Sequence, residues 1–202
     1  MKEKVDLFFY ECVYLQMGMR NIAGMDEAGR GPLAGPVTCA CCISDLDRVV
    51  EGVNDSKKLT PKKRDQLFDK IIENSLGYSI VDIDNNVIDE INILNATKEG
   101  MKRAVQTVYP IPDIVLVDAV RHDFGIPSAA IIHGDALSYS IGAASILAKV
   151  HRDRLMEEYA EKYPEYGFEQ HKGYGTKYHI EMLKKFGPCP IHRKSFIKNF
   201  FD

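Results

Sequence analysis

The features missing from this chain of 202 residues exclude several classes of protein. It has no apolar run approaching the ~18 residues of a membrane-spanning helix, so we expect no membrane contact. Its N-terminus lacks the basic start, apolar core and cleavage site of a signal peptide, which predicts a cytoplasmic protein. Internal repeats and flexible linkers are also missing. We therefore expect one monomeric catalytic domain over residues 1–202, with a helical C-terminal extension from about residue 160.

The pattern of the cysteines argues against both disulfide and redox chemistry. The five cysteines are an odd number, which does not suit a disulfide framework. Cys39 and Cys42 form a C-x-x-C within an apolar segment that predicts a strand, whereas a redox pair normally opens a helix. We interpret both as small buried hydrophobes. Cys189 and His192 lack a second ligand pair, so we expect no zinc site there.

The net charge of −3 is distributed unevenly along the chain. Residues 55–64 carry five basic side chains and one acid, a net of +4, and residues 149–202 carry eleven and eight, a net of +3. Residues 65–135 carry five basic and twelve acidic side chains, a net of −7. An acidic middle between basic segments fits a cation-binding centre flanked by phosphate-binding surfaces. A mixed solvated surface would give the same counts, and charge alone favours that alternative.

The apolar patterns predict a mixed α/β sheet of about five strands flanked by helices. The predicted strands cover residues 21–26, 36–43, 77–83, 113–118 and 128–132. The predicted helices cover residues 1–19, 60–74, 87–109, 135–163 and 177–186. Thr60 is placed to cap its helix, with Pro61 at the first helical position. The first half of the 135–163 helix is apolar and predicts burial, whereas its charged second half predicts exposure.

Four acidic residues stand at the boundaries of apolar elements. Asp26 and Glu27 end the first strand, Asp118 ends the fourth, and Asp135 begins the long helix. Carboxylates brought together repel one another unless a cation neutralises them, and oxygen ligands favour Mg²⁺ or Mn²⁺ over zinc. The pattern alone equally allows unrelated strand-end acids, with Asp135 acting only as a helix N-cap.

A glycine-rich loop, Gly29 to Gly35, follows the first acid pair. No Gly-Lys-Ser/Thr follows, so the loop is not a P-loop, and its glycine spacing does not fit a dinucleotide fingerprint. Arg30 lies between two glycines and could offer backbone N–H groups and a guanidinium to a phosphate. A tight turn between antiparallel strands is the alternative, and the loop alone favours it.

Six segments in order resemble the motifs of the ribonuclease HII family. They are IAGMDEAGRGPLAGPV, NDSKKLTPKKR, LVDAV, HGDALSYSIGAASILAKVHRD, HKGYGT and GPCPIHRKSF. The resemblance covers nearly the whole chain from Ile22 to Phe196 and implies a ribonuclease-H-like fold with two-metal hydrolysis by Mg²⁺ or Mn²⁺. It also implies cleavage of RNA in RNA–DNA hybrids and 5′ of ribonucleotides embedded in duplex DNA, leaving 3′-hydroxyl and 5′-phosphate ends.

The same resemblance implies roles for individual residues. Asp26, Glu27, Asp118 and Asp135 are similar to the four catalytic, metal-binding carboxylates of the family. Gly29, Arg30 and Gly31 resemble the motif that senses the ribose 2′-OH, and Tyr174 resembles the tyrosine that packs on the neighbouring sugar. Phosphate contacts are suggested for Lys57, Lys58, Ser145 and Lys149.

Three positions depart from the commoner family pattern, and none removes a carboxylate. Met25 stands where isoleucine is usual, His133 where lysine is common, and Gly142 where alanine is frequent. We expect activity to survive, with His133 able to alter substrate affinity. The related HIII enzymes usually carry glutamate as the fourth acid, so Asp135 favours HII.

Rival interpretations and a further partner remain open at this point. A non-catalytic hybrid-binding module would share the basic segments, and another nuclease of the same fold would share the carboxylates. Residues 197–201 resemble the hydrophobic half of a sliding-clamp-binding peptide and predict a weak clamp contact through the C-terminus. Lys194 stands where such peptides usually carry glutamine, and packing of this segment on its own core is the favoured alternative.

Overall fold

Five strands form one mixed sheet, as the sequence predicts. The computed structural model describes residues 6–54 and 56–201, and the side chain of Lys58 lies outside what it describes. The strands are β1 (Ile22–Ala28), β2 (Val37–Ser44), β3 (Ser75–Ile83), β4 (Ile114–Asp118) and β5 (Ser128–Ile131). Their order across the sheet is β3-β2-β1-β4-β5. β1, β2 and β3 pair antiparallel, whereas β1, β4 and β5 pair parallel.

Helices cover both faces of this sheet. They are α1 (Phe9–Gln16), α2 (Pro61–Asn74), α3 (Asn85–Thr107), α4 (Gly134–Leu137), α5 (Tyr139–Lys162), α6 (Phe168–His171), α7 (Lys177–Phe186) and α8 (Lys194–Ile197). Short 3₁₀ turns cover Ser56–Lys58, Pro164–Tyr166 and Lys198–Phe200. The Thr60 hydroxyl accepts a 3.3 Å hydrogen bond from the Lys63 N–H, so the predicted cap of α2 is confirmed.

The helix predicted over residues 135–163 is wrong in one respect, because the chain breaks it at Ser138. That residue has extended backbone angles, φ −130° and ψ 130°. Its hydroxyl accepts from the Ile141 N–H and donates to the buried carboxylate of Glu11 at 2.6 Å. The cap of α4 is His133, so Asp135 is not an N-cap. Of the helix predicted over residues 1–19, Phe9–Gln16 is helical, and residues 1–5 lie outside the described part.

Strand β2 is buried on both sides, and successive side chains enter different cores. Ala40 and Cys42 pack in the core that contains the apolar residues of α2 and α5. Cys39 and Cys41 pack in the core that contains the apolar residues of α3. Burial raises the pKa of all these thiols, that of Cys42 to about 12, so they behave as the small hydrophobes that the sequence predicts.

Helix α5 lies in close contact with β1, and Gly24 permits that approach. A Cβ atom on Gly24 would lie only 1.9 Å from the backbone carbon of Ser140. The first half of α5 is buried as predicted, which brings Ser145 over the strand that carries Asp26. No helix in the described ranges, α5 included, is both long enough and apolar enough to cross a membrane.

Candidate active site

Three carboxylates meet where the parallel strands end. Asp26 lies in β1, Asp118 is the last residue of β4, and Asp135 lies in α4, just after β5. Because Met25 pairs with Val117, the next residues of both strands emerge side by side. One oxygen from each of the three side chains lies within 4.8 Å of the other two. The sequence-predicted acids therefore form a cluster, as ligand-binding groups at the carboxyl edge of a sheet often do.

Hydrogen bonds from several elements orient this cluster. The N–H of Gly134 donates to Asp118 at 2.8 Å, and Lys57 Nζ contacts Asp135 at 3.1 Å. Glu27, the fourth predicted acid, lies beside the cluster, with its Oε1 atom 3.3 Å from Arg30 Nη1. Side-chain cations from two different loops therefore already approach the carboxylates.

Burial and mutual repulsion make the ionised cluster unfavourable. The pKa of Asp26 is raised well above its usual range, first by burial and then by the charge of Glu27. The pKa of Asp118 is also raised by burial, with Asp135 adding to the effect. Two unit charges about 4.8 Å apart repel by roughly 3–4 kcal/mol at an effective dielectric constant near 20. A bound cation would reverse this repulsion.

The donor atoms suit a hard divalent cation. All of them are carboxylate oxygens, which Mg²⁺ and Mn²⁺ prefer and which zinc sites use less often. The Oε2 atom of Glu27 is buried and accepts no hydrogen bond from any residue in the described ranges. A buried carboxylate oxygen without a donor is costly, and coordination of a metal would satisfy it.

The carboxylates open onto a cavity of about 230 Å³. Its walls are formed by Asp26, Glu27, Ala28, Gly29, Arg30, Gly31, Ser56, Lys57, Asp118, Ser145, Lys149, Arg152 and Tyr174. The structure thus brings most of the predicted site residues to one cavity, although they come from distant parts of the chain. Asp135 belongs to the carboxylate cluster rather than to this wall, and the Lys58 side chain lies outside the described residues.

Two polar residues of the wall are held by neighbours. Ser145 hydrogen-bonds Ser56 at 2.8 Å, and a hydrogen bond from Ser145 to Asp26 opposes the upward pKa shift of that acid. Lys149 Nζ lies 2.6 Å from Asp153, yet burial still lowers the pKa of the lysine. Lys149 therefore stands in the cavity as a partly desolvated donor whose orientation is fixed by the next turn of α5.

The glycine loop rests on two buried arginines that sequence reasoning missed. Arg193 donates to the carbonyls of Gly29 and Arg30 at 2.6 and 2.9 Å. Arg152 donates to the carbonyls of Ala34 and Lys172 at 3.1 and 3.0 Å. Arg152 is 1% exposed, so the expectation that the charged half of α5 is exposed is wrong for this residue. Both arginines lie in the family-like motifs, which was the available signal.

Gly29 and Gly31 have different structural reasons to be glycine. Gly29 has φ +91°, and a Cβ atom there would lie 1.9 Å from Nε of Arg152. The arginine beneath the loop therefore requires Gly29. A Cβ atom on Gly31 would lie 3.6 Å from the ring of Tyr174, which is 47% exposed. Gly31 thus lies beside the Tyr174 ring, and both residues line the cavity.

Comparison with known proteins shows the family and the fold. The family model described as Ribonuclease HII matches residues 23–199. Ribonuclease HII from Caldicellulosiruptor bescii is 56% identical over 203 residues, covering 100% of this chain and 98% of the relative. The ribonuclease H2 structure from Pyrococcus horikoshii has a TM-score of 0.76 at 30% identity, over 90% of this chain and 99% of that one. The structure of the PCNA:RNase HII complex from Archaeoglobus fulgidus has a TM-score of 0.74 at 28% identity, over 90% of this chain and 97% of that chain.

Proposed function

This chain belongs to the ribonuclease HII family, and from that premise we propose that it cuts RNA where the RNA is paired with DNA. Its activity is that of an endoribonuclease, a phosphodiester hydrolase. The proposed substrates are RNA–DNA hybrids and duplex DNA with embedded ribonucleotides, cut 5′ of the ribonucleotide. The observation that carries the proposal is the buried cluster of Asp26, Asp118 and Asp135 beside a cavity lined by the glycine loop and Tyr174.

We assign the metal site to the four acids. Asp26, Glu27, Asp118 and Asp135 would hold Mg²⁺ or Mn²⁺, two ions during catalysis, with the unpartnered oxygen of Glu27 available as a ligand. When bound, such ions lower the pKa of water and neutralise charge on the attacking and leaving oxygens of a phosphodiester. The positions of the carboxylates would determine where the cations lie, and thereby where the reacting phosphate is held. The products would carry 3′-hydroxyl and 5′-phosphate ends.

Positive groups around the acids are proposed to hold the phosphate backbone. Lys57, Lys149 and Arg30 all line the cavity, and the Arg30 side chain is nearly half-exposed. Ser145 and Lys58 are assigned the same role by their motif positions. The attraction of these cations would offset the free-energy cost of removing substrate phosphates from water. This electrostatic contribution to binding should weaken as the salt concentration rises.

Recognition of RNA is assigned to the glycine loop and to Tyr174. The 2′-OH is the group that distinguishes a ribonucleotide from a deoxyribonucleotide. A site built to hydrogen-bond this hydroxyl rejects a sugar without it, because its buried partners then remain unpaired. Gly29, Arg30 and Gly31 present backbone at the cavity, and the Tyr174 ring faces Gly31 with a flat apolar surface suited to the neighbouring sugar.

The central experiment replaces one acid of the cluster and a matched acid elsewhere. Asp118→Asn should abolish Mg²⁺-dependent cleavage of a hybrid duplex while leaving binding largely intact. Asp113→Asn, at the other end of the same strand segment, should retain activity because the Asp113 carboxylate accepts from the backbone N–H groups of Arg20 and Asn21, away from the cluster. Cleavage rates and fluorescence anisotropy would be measured with and without Mg²⁺. Wild-type turnover by Asp118→Asn, or binding without cleavage by the parent enzyme, would refute the proposal.

A weak contact with a sliding clamp is a second proposal. The archaeal relative is known from a complex with PCNA, and the C-terminal segment of this chain contains Phe200 and Phe201. Phe201 is 50% exposed, whereas Ile197 is buried in the protein's own core, so only the end of the segment is available. Deletion of residues 198–202 should weaken capture by an immobilised bacterial clamp without affecting cleavage. Equal capture of both forms would contradict the idea.

We also propose that residues 1–202 act in the cytoplasm as one monomeric catalytic domain, with the helices after about residue 160 as its C-terminal extension. The support is that Arg193, just before α8, bonds the glycine loop of the candidate active site. Sedimentation velocity of the active enzyme should give a single species near 22.8 kDa. A dimer that loses activity on dilution would overturn this assignment.

A further inference from the structure

Two buried histidines contact each other, and one of them contacts the turn that carries Tyr174, residues 172–176. His179 in α7 and His192 after it are 0% and 1% exposed, and their Nε2 atoms lie 3.0 Å apart. The other nitrogen of His179, Nδ1, lies 2.9 Å from the backbone carbonyl of Tyr174. The other nitrogen of His192 lies 3.0 Å from the N–H of Cys189. Neither histidine lines the cavity, so the proposed chemistry does not use them.

The contacts of this pair fix where its protons lie. A carbonyl oxygen can only accept, so His179 Nδ1 carries a proton and donates to Tyr174. Burial lowers the pKa of both histidines to about 4, which leaves them neutral near pH 7. His179 Nε2 must then accept, and His192 Nε2 must donate to it. His192 Nδ1 accepts from the N–H of Cys189, so the hydrogen bonds run in one direction from Cys189 to Tyr174.

The remaining carbonyls of the turn are bonded from the other side of the site. Arg152 donates to Lys172 at 3.0 Å, and the N–H of Leu33 in the glycine loop donates to the carbonyl of Gly173 at 2.8 Å. His192 also forms an isolated bridge with Ala34 of the same loop. The turn is thus tied to the glycine loop directly. The carbonyl of Tyr174 itself accepts from the N–H of Thr176 at 2.8 Å, and His179 provides the one side-chain donor to it among the described residues.

We propose that His179 and His192 are positioning residues that set the Tyr174 ring opposite the glycine loop, and thereby support selection of a single embedded ribonucleotide. The inference rests on the role assigned to Tyr174 in the proposed function. The histidines act through the Tyr174 carbonyl and do not touch substrate. A ring displaced by a fraction of an ångström would still meet long hybrids, which offer many registers, but would engage one embedded ribonucleotide less well.

The test compares cleavage of a duplex carrying one ribonucleotide with cleavage of a long RNA–DNA hybrid. His179→Leu removes the side-chain donor to the Tyr174 carbonyl, leaves only the backbone N–H of Thr176 on that oxygen among the described residues, and leaves the buried His192 N–H unpaired. We expect the ratio of the two rates, single ribonucleotide over hybrid, to fall roughly tenfold, the factor that corresponds to one hydrogen bond of about 1.4 kcal/mol. His179→Asn keeps an amide donor close to the Nδ1 position, so it should restore most of the ratio.

Phe168→Leu is the packing control, because Phe168 contacts the rings of both histidines but donates no side-chain hydrogen bond to the turn. It should lower the melting temperature and leave the ratio unchanged. His192→Asn keeps an acceptor for Cys189 and removes only the donor to His179, so it decides the question if His179→Leu fails to fold. Ratios in His179→Leu and His192→Asn that both equal the ratio of Phe168→Leu would overturn the inference.

The double variant Tyr174→Ala with His179→Leu separates this inference from the function on which it rests. If the histidine acts through the ring, its loss should have little further effect on the ratio once Tyr174 is alanine. An additive fall in the ratio would count against the inference. A Tyr174→Ala enzyme with an unchanged ratio would instead refute the role assigned to Tyr174. A lowered ratio in Tyr174→Ala with none in the histidine variants would refute the positioning role alone.

Discussion

The carboxylate cluster and the basic groups behind the loops are both buried, yet they are satisfied in opposite ways. Asp26 and Asp118 repel each other, and Glu27 keeps an oxygen without a donor among the described residues. Arg193, by contrast, directs its hydrogen bonds to backbone carbonyls and has no need of a ligand. The ionised carboxylates repel one another until a cation binds, whereas the hydrogen bonds of Arg193 are already formed without a ligand. Under the proposed function, this division would hold the glycine loop rigid while the carboxylate cluster remains able to bind cations.

The sharpest test of that contrast is the removal of a self-satisfied charge. Arg193→Met should lower the free energy of unfolding by about 3–5 kcal/mol, because it abolishes charge-assisted hydrogen bonds in a buried site. Arg103→Met is the matched control, since the Arg103 side chain forms an exposed pair with Glu99 and its loss should change stability by less than about 0.5 kcal/mol. Urea denaturation measures both. Equal effects of the two substitutions would contradict the role of Arg193 as the anchor of the glycine loop.

Tyr174 lies where the two regions meet, so its loss should affect recognition more than stability. Tyr174→Ala should reduce cleavage at one embedded ribonucleotide by about 1–3 kcal/mol in transition-state stabilisation, the usual scale for an aromatic nucleotide contact. Cleavage of long hybrids should fall less, and the melting temperature should change little because the ring is half-exposed. Rates on the two substrates give the comparison. A uniform loss on both, or a loss of melting temperature alone, would make the tyrosine structural.

Neutralising an acid of the cluster should stabilise the metal-free protein, the reverse of the arginine result. Asp26→Asn removes a charge whose pKa is raised by burial and by Glu27, so we expect a gain of about 1 kcal/mol without metal. Asp113→Asn should have the opposite sign, because backbone hydrogen bonds lower the pKa of that carboxyl and favour its charge. Denaturation in EDTA and in Mg²⁺ tests this. The prediction fails if Asp26→Asn destabilises the protein in EDTA or still gains stability from Mg²⁺.

Local signals in the sequence predicted the elements whose causes are local. The cap at Thr60, the helix Lys177–Phe186 and the apolar strand ending in Asp118 all matched the structure closely. The break at Ser138 was not predictable, because the carboxylate that receives its hydroxyl belongs to Glu11, 127 residues earlier. A helical pattern on its own contains no information about that partner.

The acids of the candidate site were predictable because their signal is local in the sequence. Arg193, which supports the glycine loop, was not predictable because its partners are distant in the sequence. Asp26, Asp118 and Asp135 stand at the ends of apolar segments, and chain order shows that directly. Arg193 finds its carbonyls up to 164 residues away, and its residue type predicts exposure. Motif resemblance marked the segment that contains Arg193 and His192, but only the fold shows that both face inward.

A partly exposed ion pair between His151 and Asp82 links α5 to the edge strand of the sheet. Its loss should have the smallest effect on stability. His151 Nε2 lies 2.8 Å from Asp82, both side chains are about one-third exposed, and this hydrogen bond raises the pKa of His151. Because the pKa of His151 is higher in the folded state than the unfolded value near 6.5, the ion pair contributes its full stabilisation below pH 6.5. That stability is lost as the pH rises through the folded pKa. His151→Gln should therefore cost less than about 0.5 kcal/mol at pH 6 after allowance for solvent screening, and nothing near pH 9. Urea denaturation of both proteins at the two pH values measures the difference, and about 1 M salt should shrink it further. A cost that is the same at pH 6 and pH 9 would show that the imidazole contributes packing rather than charge.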